Sequence, residues 1–532
     1  MMRQELAIGS LPNLLSEYRI LVGVVLLFTY VIGNAIYQLY ISPLSKFPGP
    51  KLAAVTLYYE IYYDVFRWGR YWAEIKKMHE KYGPIVRISP HELHVSDPAF
   101  IETLYTRSAP RDKYSFMTAQ FGNPLTTFST NDHYHHRIRR AAINPFFSKQ
   151  RVMSLHDMIW TYVEKLCTRF EEYNDAKKPI PTGQAFSCLA ADIIIKYSMG
   201  VEQRSLDDLD FAPYFTQANK RLLSTTIVTR HAPWLHFIIN ALPRNWVAKR
   251  SLEYAAMMDF RQMNIRRVQD VFARKEKAKH GSVNADGNSA SQHTVFDDLV
   301  DSDLTPEERT LERLSQESQV IVGAGLDTTG NTLDAILFHL LDNPSTHAKL
   351  KAELVSAMPD PHERKPLVEL ERLPYLTAVI NEALRMSNGI SIRNARLAHS
   401  PMVYQDYIIP AFTPVSMTAP LIHTNKSIFP EPNSFIPERW LDENGFVGAR
   451  TLDGQSLDRF LIAFGRGARS CVGINLAYAE LRICIAAVVR RFDMELFDST
   501  RKDVDLVHDL FMPTVDRSSK GVHVLVKQTL RS

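Results

Sequence analysis

The sequence predicts a mainly α-helical catalytic domain with a small β region, preceded by one transmembrane helix. Three observations carry the prediction. Leu21 to Ile41 is an apolar run of about 20 residues, interrupted only by Thr29, Asn34 and Gln38, and long enough to cross a bilayer as a helix. Val152 to Val271 shows mainly helical spacing, and Leu314 to Leu341 is an apolar helical stretch of about 28 residues, roughly 42 Å at 1.5 Å per residue. Strand signals are sparse: the clearest is a hairpin within Ile85 to Val95, turning at Pro90-His91.

Composition sets the outer bounds. With 532 residues, 45% hydrophobic and 23% charged, the chain suits a large globular enzyme and shows no sign of disorder. A formal net charge of +4 is small for that length, so it gives no ground for nucleic-acid binding or an acidic substrate. Cys167, Cys188, Cys471 and Cys484 are too few and too scattered for a disulfide scaffold or a zinc site, and suit a reducing compartment.

In chain order, residues 1–20 are an N-terminal segment and residues 21–41 a membrane anchor. The rival is a cleaved signal peptide ending near Gly33-Asn34-Ala35, opposed by the apolar run beyond Ala35. Arg3 and Arg19 before the run, and Lys46 and Lys51 after it, leave orientation open. Residues 42–50 are a stiff connector in which Pro43, Pro48 and Pro50 disfavour helix, and residues 51–532 form the catalytic domain. That domain opens with helical spacing from Trp68 to Tyr82 and the hairpin. Ser108 to Thr130 is loop-like, and its Phe116, Met117, Phe121 and Phe128 are either a substrate wall or core packing. His133 and His136 share a helix face but His135 does not, which argues against a metal cluster there. Asp210 to Val247 is broken and rich in aromatic and aliphatic residues, and Lys275 to Gln292 reads as a polar surface linker. Thr305-Pro306-Glu307-Glu308 predicts the start of the long helix, with Thr305 as N-cap, Pro306 at the first position and a capping box.

The chemistry concentrates at Phe464-Gly465-Arg466-Gly467-Ala468-Arg469-Ser470-Cys471-Val472-Gly473. A lone cysteine between glycines suits a loop that holds haem iron by a thiolate, which pushes electron density onto iron and favours O–O cleavage. Gly467 would permit the turn, Gly473 would let the next helix approach the macrocycle, Arg469 would meet a propionate and Phe464 would shield the sulfur. The bland alternative is a buried free cysteine in a glycine-rich turn. A second motif, Ala324-Gly325-Leu326-Asp327-Thr328-Thr329, lies mid-way along the long helix. There Gly325 would leave room for dioxygen, while Thr328 would hydrogen-bond to it and Asp327 would feed protons; a threonine bending a helix is the plainer reading. Glu382-Ala383-Leu384-Arg385 puts acid and base on one helix face, and Phe435-Ile436-Pro437-Glu438-Arg439-Trp440 supplies a further arginine.

In this order, these four motifs resemble the haem-thiolate monooxygenases, the cytochrome P450 family, from about Phe47 to the end. The resemblance implies that family's fold, haem b as cofactor, and electrons from NADPH through NADPH-cytochrome P450 reductase. It implies an endoplasmic-reticulum anchor with the catalytic domain facing the cytosol, and a connector that sets how the domain sits on the membrane. Glu382 would lie buried between Arg385 and Arg439 in a structural role. Arg140, with His136 where tryptophan is commoner, and Arg396 would meet the haem propionates. Ile390 and Ser391 would touch substrate, Leu510-Phe511-Met512-Pro513 would close the pocket, with Met512 as a contact, and Asp210 to Val247 would roof it against the membrane. Arg137, Arg139, Lys149 and Arg466 would form a proximal dock for an acidic reductase. The departure is Asn388-Gly389 in place of a proline after the third motif, which bears on pocket shape. The details are most similar to filamentous-fungal members such as trichodiene-oxygenase-like enzymes, which implies an apolar secondary metabolite as substrate: terpenoid first, then polyketide or prenylated alkaloid. Two rivals stand beside this, a haem-thiolate isomerase or dehydratase and a non-catalytic haem sensor or electron carrier.

Overall fold

The computed structural model describes residues 11–211, 213–279 and 294–529. The first helix, Leu11–Ile36, runs directly into a π-helical turn, Tyr37–Ile41. Tyr18–Ile41 is long and apolar enough to cross a membrane, and Leu26, Phe28 and Tyr30 are exposed on its surface, as an anchor's side chains would be. Its end is tied to the domain. Buried Arg87 donates to Gln38 O at 2.7 Å and Pro90 O at 2.8 Å, and also to the Gln38 side chain. The connector then lies on the same strand: Arg87 N–H donates to Pro48 O at 2.7 Å, and a Cβ on Gly49 would stand 2.4 Å from Arg87 O. Only glycine fits that approach.

The expected hairpin is present as Ile85–Arg87 against Leu93–Val95, antiparallel. It extends into a five-stranded sheet in the order Ile85–Arg87, Leu93–Val95, Pro414–Ser416, Arg396–Ala398, Arg111–Lys113, in which only the Leu93–Val95 and Pro414–Ser416 pair is parallel. The last pairing sets Lys113 directly opposite Arg396.

Everything else is arranged about one helix, Leu311–Asp342, 32 residues long and mostly buried. It begins differently from expectation. Pro306–Arg309 is a separate 3-10 turn in which Thr305 makes no capping bond, and the helix is capped by Thr310, whose side chain accepts from Arg313 N–H at 3.3 Å. The helix packs against Thr182–Met199, Leu252–Lys279, Pro374–Ser387 and Ile474–Arg491. Two glycines allow the closest of these approaches: a Cβ on Gly330 would meet Ser187 Oγ at 2.8 Å, and one on Gly325 would meet Ile194 Cγ1 at 2.9 Å.

The aromatic-rich stretch folds as Pro213–Thr229, Leu235–Ala241 and Arg244–Ala248. Trp234, Phe237, Ile238 and Trp246 are exposed, unlike an ordinary core helix pair, whereas Phe211 is buried. The side chains of Tyr214 and Phe215 lie outside the described residues. Lys275 to Lys279 belongs to the helix Leu252–Lys279 rather than to the linker, with Lys275 paired to Asp301; residues 280–293 lie outside the described residues.

Candidate active site

Cys471 stands between the 3-10 turn Gly467–Arg469 and the helix Ile474–Arg491. The loop is closed by Cys471 N–H donating to Phe464 O at 2.8 Å. Gly467 has φ +74° and a Cβ there would lie 2.2 Å from Tyr105 O, so the turn cannot carry a side chain. Gly473 is different: a Cβ there would come no nearer to any other residue than 3.9 Å, from Cys471 Sγ, so its bareness leaves open space beside the sulfur. Its N–H points at that sulfur. Burial pushes the Cys471 thiol up, opposed by this N–H and by Arg140. Cys167, Cys188 and Cys484 are all buried, whereas Cys471 is accessible, so a deeply placed thiol has an open face. The Phe464 ring packs on Tyr478 at 5.4 Å, beside the loop.

Four cations, Lys113, Arg140, Arg396 and Arg469, form a cluster that reaches the cysteine through Arg140. Lys113 is half-buried and held well below its ordinary value by burial and by Arg396, Arg469 and Arg140. Arg469 is pushed down to about 9 by burial and by Arg396. Their hydrogen-bond partners are uncharged: Arg469 donates to Asn131 O at 2.7 Å and Asp132 O at 3.0 Å, Arg140 to Ser470 O at 2.8 Å, Arg396 to Ala395 O at 2.9 Å, and Lys113 to Phe128 O. Among the described residues no carboxylate pairs with any of them. His136, buried and pushed down to about 2 chiefly by burial and then by Arg469, has no partner at Nδ1. Like charges set opposite each other across strands, as Lys113 and Arg396 are, oppose folding unless an anion joins them. A haem with two propionates is such an anion, so the nest, the open sulfur and the bare Gly473 fit that group.

On the central helix, Ala324 is exposed and Thr328 partly so, although Leu326 and Asp327 are buried. Thr328 Oγ1 donates to Ala324 O at 2.7 Å, leaving the hydroxyl oxygen free to accept from a group on that face. Gly325 does not lie on it. Its missing side chain is directed at Ile194, so it serves helix packing and is neither a dioxygen groove nor a substrate contact; Ala324 is the small residue on the open face, which periodicity alone did not single out.

Glu382 is fully buried, and its two oxygens accept five hydrogen bonds: from Arg385 Nε at 2.9 Å and Nη2 at 2.8 Å, Arg439 Nε at 3.0 Å, Ile436 N–H at 3.0 Å and Trp440 Nε1 at 3.0 Å. Arg385 also donates to Pro432 O at 2.7 Å and His423 O at 2.9 Å. One carboxylate thus gathers a helix and the irregular segment leading to the cysteine loop.

The remaining expectations fare unevenly. A small cavity of about 20 Å³ is lined by Lys113, Tyr114, Met117, Phe128, Arg396 and Phe511 among others. Phe121 packs on Phe511 at 4.8 Å, behind this wall, and Phe116 stacks on Tyr114 at 5.6 Å and meets His231 edge to face at 5.4 Å. Ile390 is packed in the same small apolar cluster, and Met512 is buried. Ser391 is not positioned as a substrate contact: it is fully buried and its hydroxyl donates to Asp509 Oδ1 at 2.8 Å. Arg139 is buried against Glu308, with Nε to Oε2 at 2.6 Å, so it cannot belong to a proximal docking face; Lys149 is paired with Glu371 at 2.7 Å, and Arg137 is exposed.

Glu480, on the helix after the cysteine, was not anticipated. It is buried against the central helix, where burial pushes its carboxyl up to about 8 and a Thr329 hydrogen bond only partly opposes this. The folded protein therefore holds a proton, from about pH 4.5 to about 8, that the unfolded chain releases. Its stabilising effect is complete below the unfolded value and is lost as pH rises through the folded one. Glu480→Gln cannot ionise, so its melting temperature relative to the parent should rise steadily between pH 5 and pH 9, checked by thermal unfolding of the holoenzymes, where ~1 pK unit is worth about 1.4 kcal/mol. A difference independent of pH would contradict this.

Fold and site together define a haem-thiolate oxygenase, and comparison with known proteins agrees. The Cytochrome P450 family model matches residues 48–517, and the chain belongs to that family. It is 39% identical over 508 residues to cytochrome P450 monooxygenase MO6277 of Ascocoryne sarcoides, covering 94% of this chain and 97% of that one. Tryptophan 6-hydroxylase fscE of Fusarium equiseti is 40% identical over 495 residues, covering 93% and 94% respectively. N-acetyltryptophan 6-hydroxylase ivoC of Emericella nidulans is 34% identical over 507 residues, covering 95% and 96%. The chain is accordingly a cytochrome P450 monooxygenase similar to enzymes of fungal secondary metabolism.

Proposed function

We propose that this enzyme oxidises an apolar secondary metabolite, inserting one oxygen atom from dioxygen, with electrons from NADPH delivered by NADPH-cytochrome P450 reductase. The observation that carries the reading is the accessible Cys471 beside four cations that no carboxylate partners among the described residues. Bound there, haem b supplies the dioxygen-activating chemistry. Cys471 would hold the iron as thiolate, with the Gly473 N–H tempering the sulfur's charge. Lys113, Arg140, Arg396 and Arg469 would hold the propionates. Thr328 keeps its own proton on Ala324 O and offers its oxygen to the open face, and Asp327, buried one residue away, serves proton delivery. Tyr114, Phe128 and Phe511 exclude water from the substrate. The helix from residues 21–41 anchors the domain in the endoplasmic-reticulum membrane facing the cytosol, and exposed Trp234, Phe237 and Trp246 rest on the same bilayer.

A terpenoid substrate is the reading from sequence detail. Two observations favour an aromatic, alkaloid-type one: Tyr114, Phe128 and Phe511 among the residues that line the cavity, and two relatives named for hydroxylating tryptophan or its N-acetyl derivative. The test is reconstitution with reductase and NADPH against terpenoid and indole panels. Wild-type enzyme should give NADPH-dependent oxygenated product, and Thr328→Ala should lower product per NADPH by about tenfold or more with haem content unchanged. Turnover without NADPH would favour the isomerase or dehydratase reading.

A further inference from the structure

The strands His508–Leu510 and Met512–Thr514 pair with Leu510 opposite Met512, so a single residue, Phe511, makes the turn. Its φ is +77°, the value of the rarer, strained γ-turn, in a bulky non-glycine residue. Such strain persists only where the surroundings over-determine it. Here they do. Phe511 N–H donates to Asp509 Oδ1 at 3.0 Å; Ser391 Oγ donates to the same oxygen at 2.8 Å; and Ser391 N–H and Ile392 N–H donate to Phe511 O at 3.2 and 3.4 Å. Asp509 is itself fixed from behind, its N–H donating to Gly69 O at 2.8 Å, where a Cβ on Gly69 would stand 2.5 Å from Asp509 O. Held this way, the Phe511 ring forms part of the cavity wall and meets Phe121 at 4.8 Å and Phe128 at 6.0 Å, edge to face.

We propose that Asp509, with Ser391, is a positioning residue that acts through Phe511: the pair latches the strained turn so that the ring sets the size of substrate admitted. Asp509 lines no part of the cavity, so its effect on the wall passes through Phe511. The carboxylate stays in place because Arg230 and Arg393 lie near enough to offset its charge, although Asp64 opposes them; burial first, and then Asp64, push it up to about 6. The proposal rests on the haem pocket inferred above, and carbon monoxide binding reports that pocket separately.

Two azoles that ligate haem iron serve as probes, imidazole as the small one and 4-phenylimidazole as the bulky one, each titrated by its Soret shift on the full-length holoenzyme. Asp509→Ala should change the ratio of the two dissociation constants by about fivefold or more, with the imidazole value held within about twofold. Ser391→Ala, which removes only the hydroxyl bond, should move the ratio in the same direction and stands in if Asp509→Ala does not fold. Asp509→Asn retains an acceptor oxygen and should restore the ratio. In a Phe511→Gly background, where glycine adopts the turn without a ring, Asp509→Ala or Ser391→Ala should add nothing further. An unchanged ratio in a variant with an intact carbon monoxide spectrum, or a further shift in the Phe511→Gly background, would overturn the proposal.

Discussion

Replacing Glu382 by alanine is expected to give protein that retains little haem and unfolds well below the parent's temperature. The carboxylate accepts five hydrogen bonds, two of its donors being arginines with 1% and 8% of the side chain exposed. Removing it strands Arg385 and Arg439 as uncompensated buried cations, a loss of about 3–5 kcal/mol when one partner of a buried pair is deleted. Whole-domain stability is typically only about 5–15 kcal/mol, so the change consumes a large share of it. It also frees Ile436 and Trp440, and with them the segment that leads to the cysteine loop. Glu382→Gln keeps acceptor oxygen but not charge and should fall between. The haem-to-protein ratio, measured beside thermal unfolding, checks this; an alanine variant with full haem and an unchanged transition would contradict it.

What could be read from the chain divides along a physical line. Cys471 was legible because a lone cysteine flanked by glycines has few uses, and Glu382 because its partners follow motifs of fixed spacing. Gly325 was legible as a small residue in the right helix but not for its direction, since periodicity reports that a site is tight, not against which neighbour. The neighbour was Ile194, about 130 residues away. Lys113 escaped for a similar reason: its significance comes from standing opposite Arg396 across a sheet, and that register is set by non-local pairing. Position in a motif points Ser391 at substrate, whereas its hydroxyl donates to Asp509, far along the chain. Thr305 and Thr310 both carry capping chemistry; the first precedes a separate 3-10 turn without a capping bond, and the second caps the central helix.

The central claim is that Cys471 holds haem iron as a thiolate, and the most direct measurement is the reduced carbon monoxide difference spectrum of the holoenzyme beside Cys471→Ser. The thiolate pushes electron density onto the iron that a serine hydroxyl does not supply, so the wild-type protein should show a strongly red-shifted Soret band that disappears in the variant. The cation nest around Lys113, Arg140, Arg396 and Arg469 remains in that variant, so some haem should still bind and the loss of the band reports ligation rather than occupancy. An unshifted band in folded, haem-loaded wild-type protein, or a red-shifted band that survives in Cys471→Ser, would contradict the account.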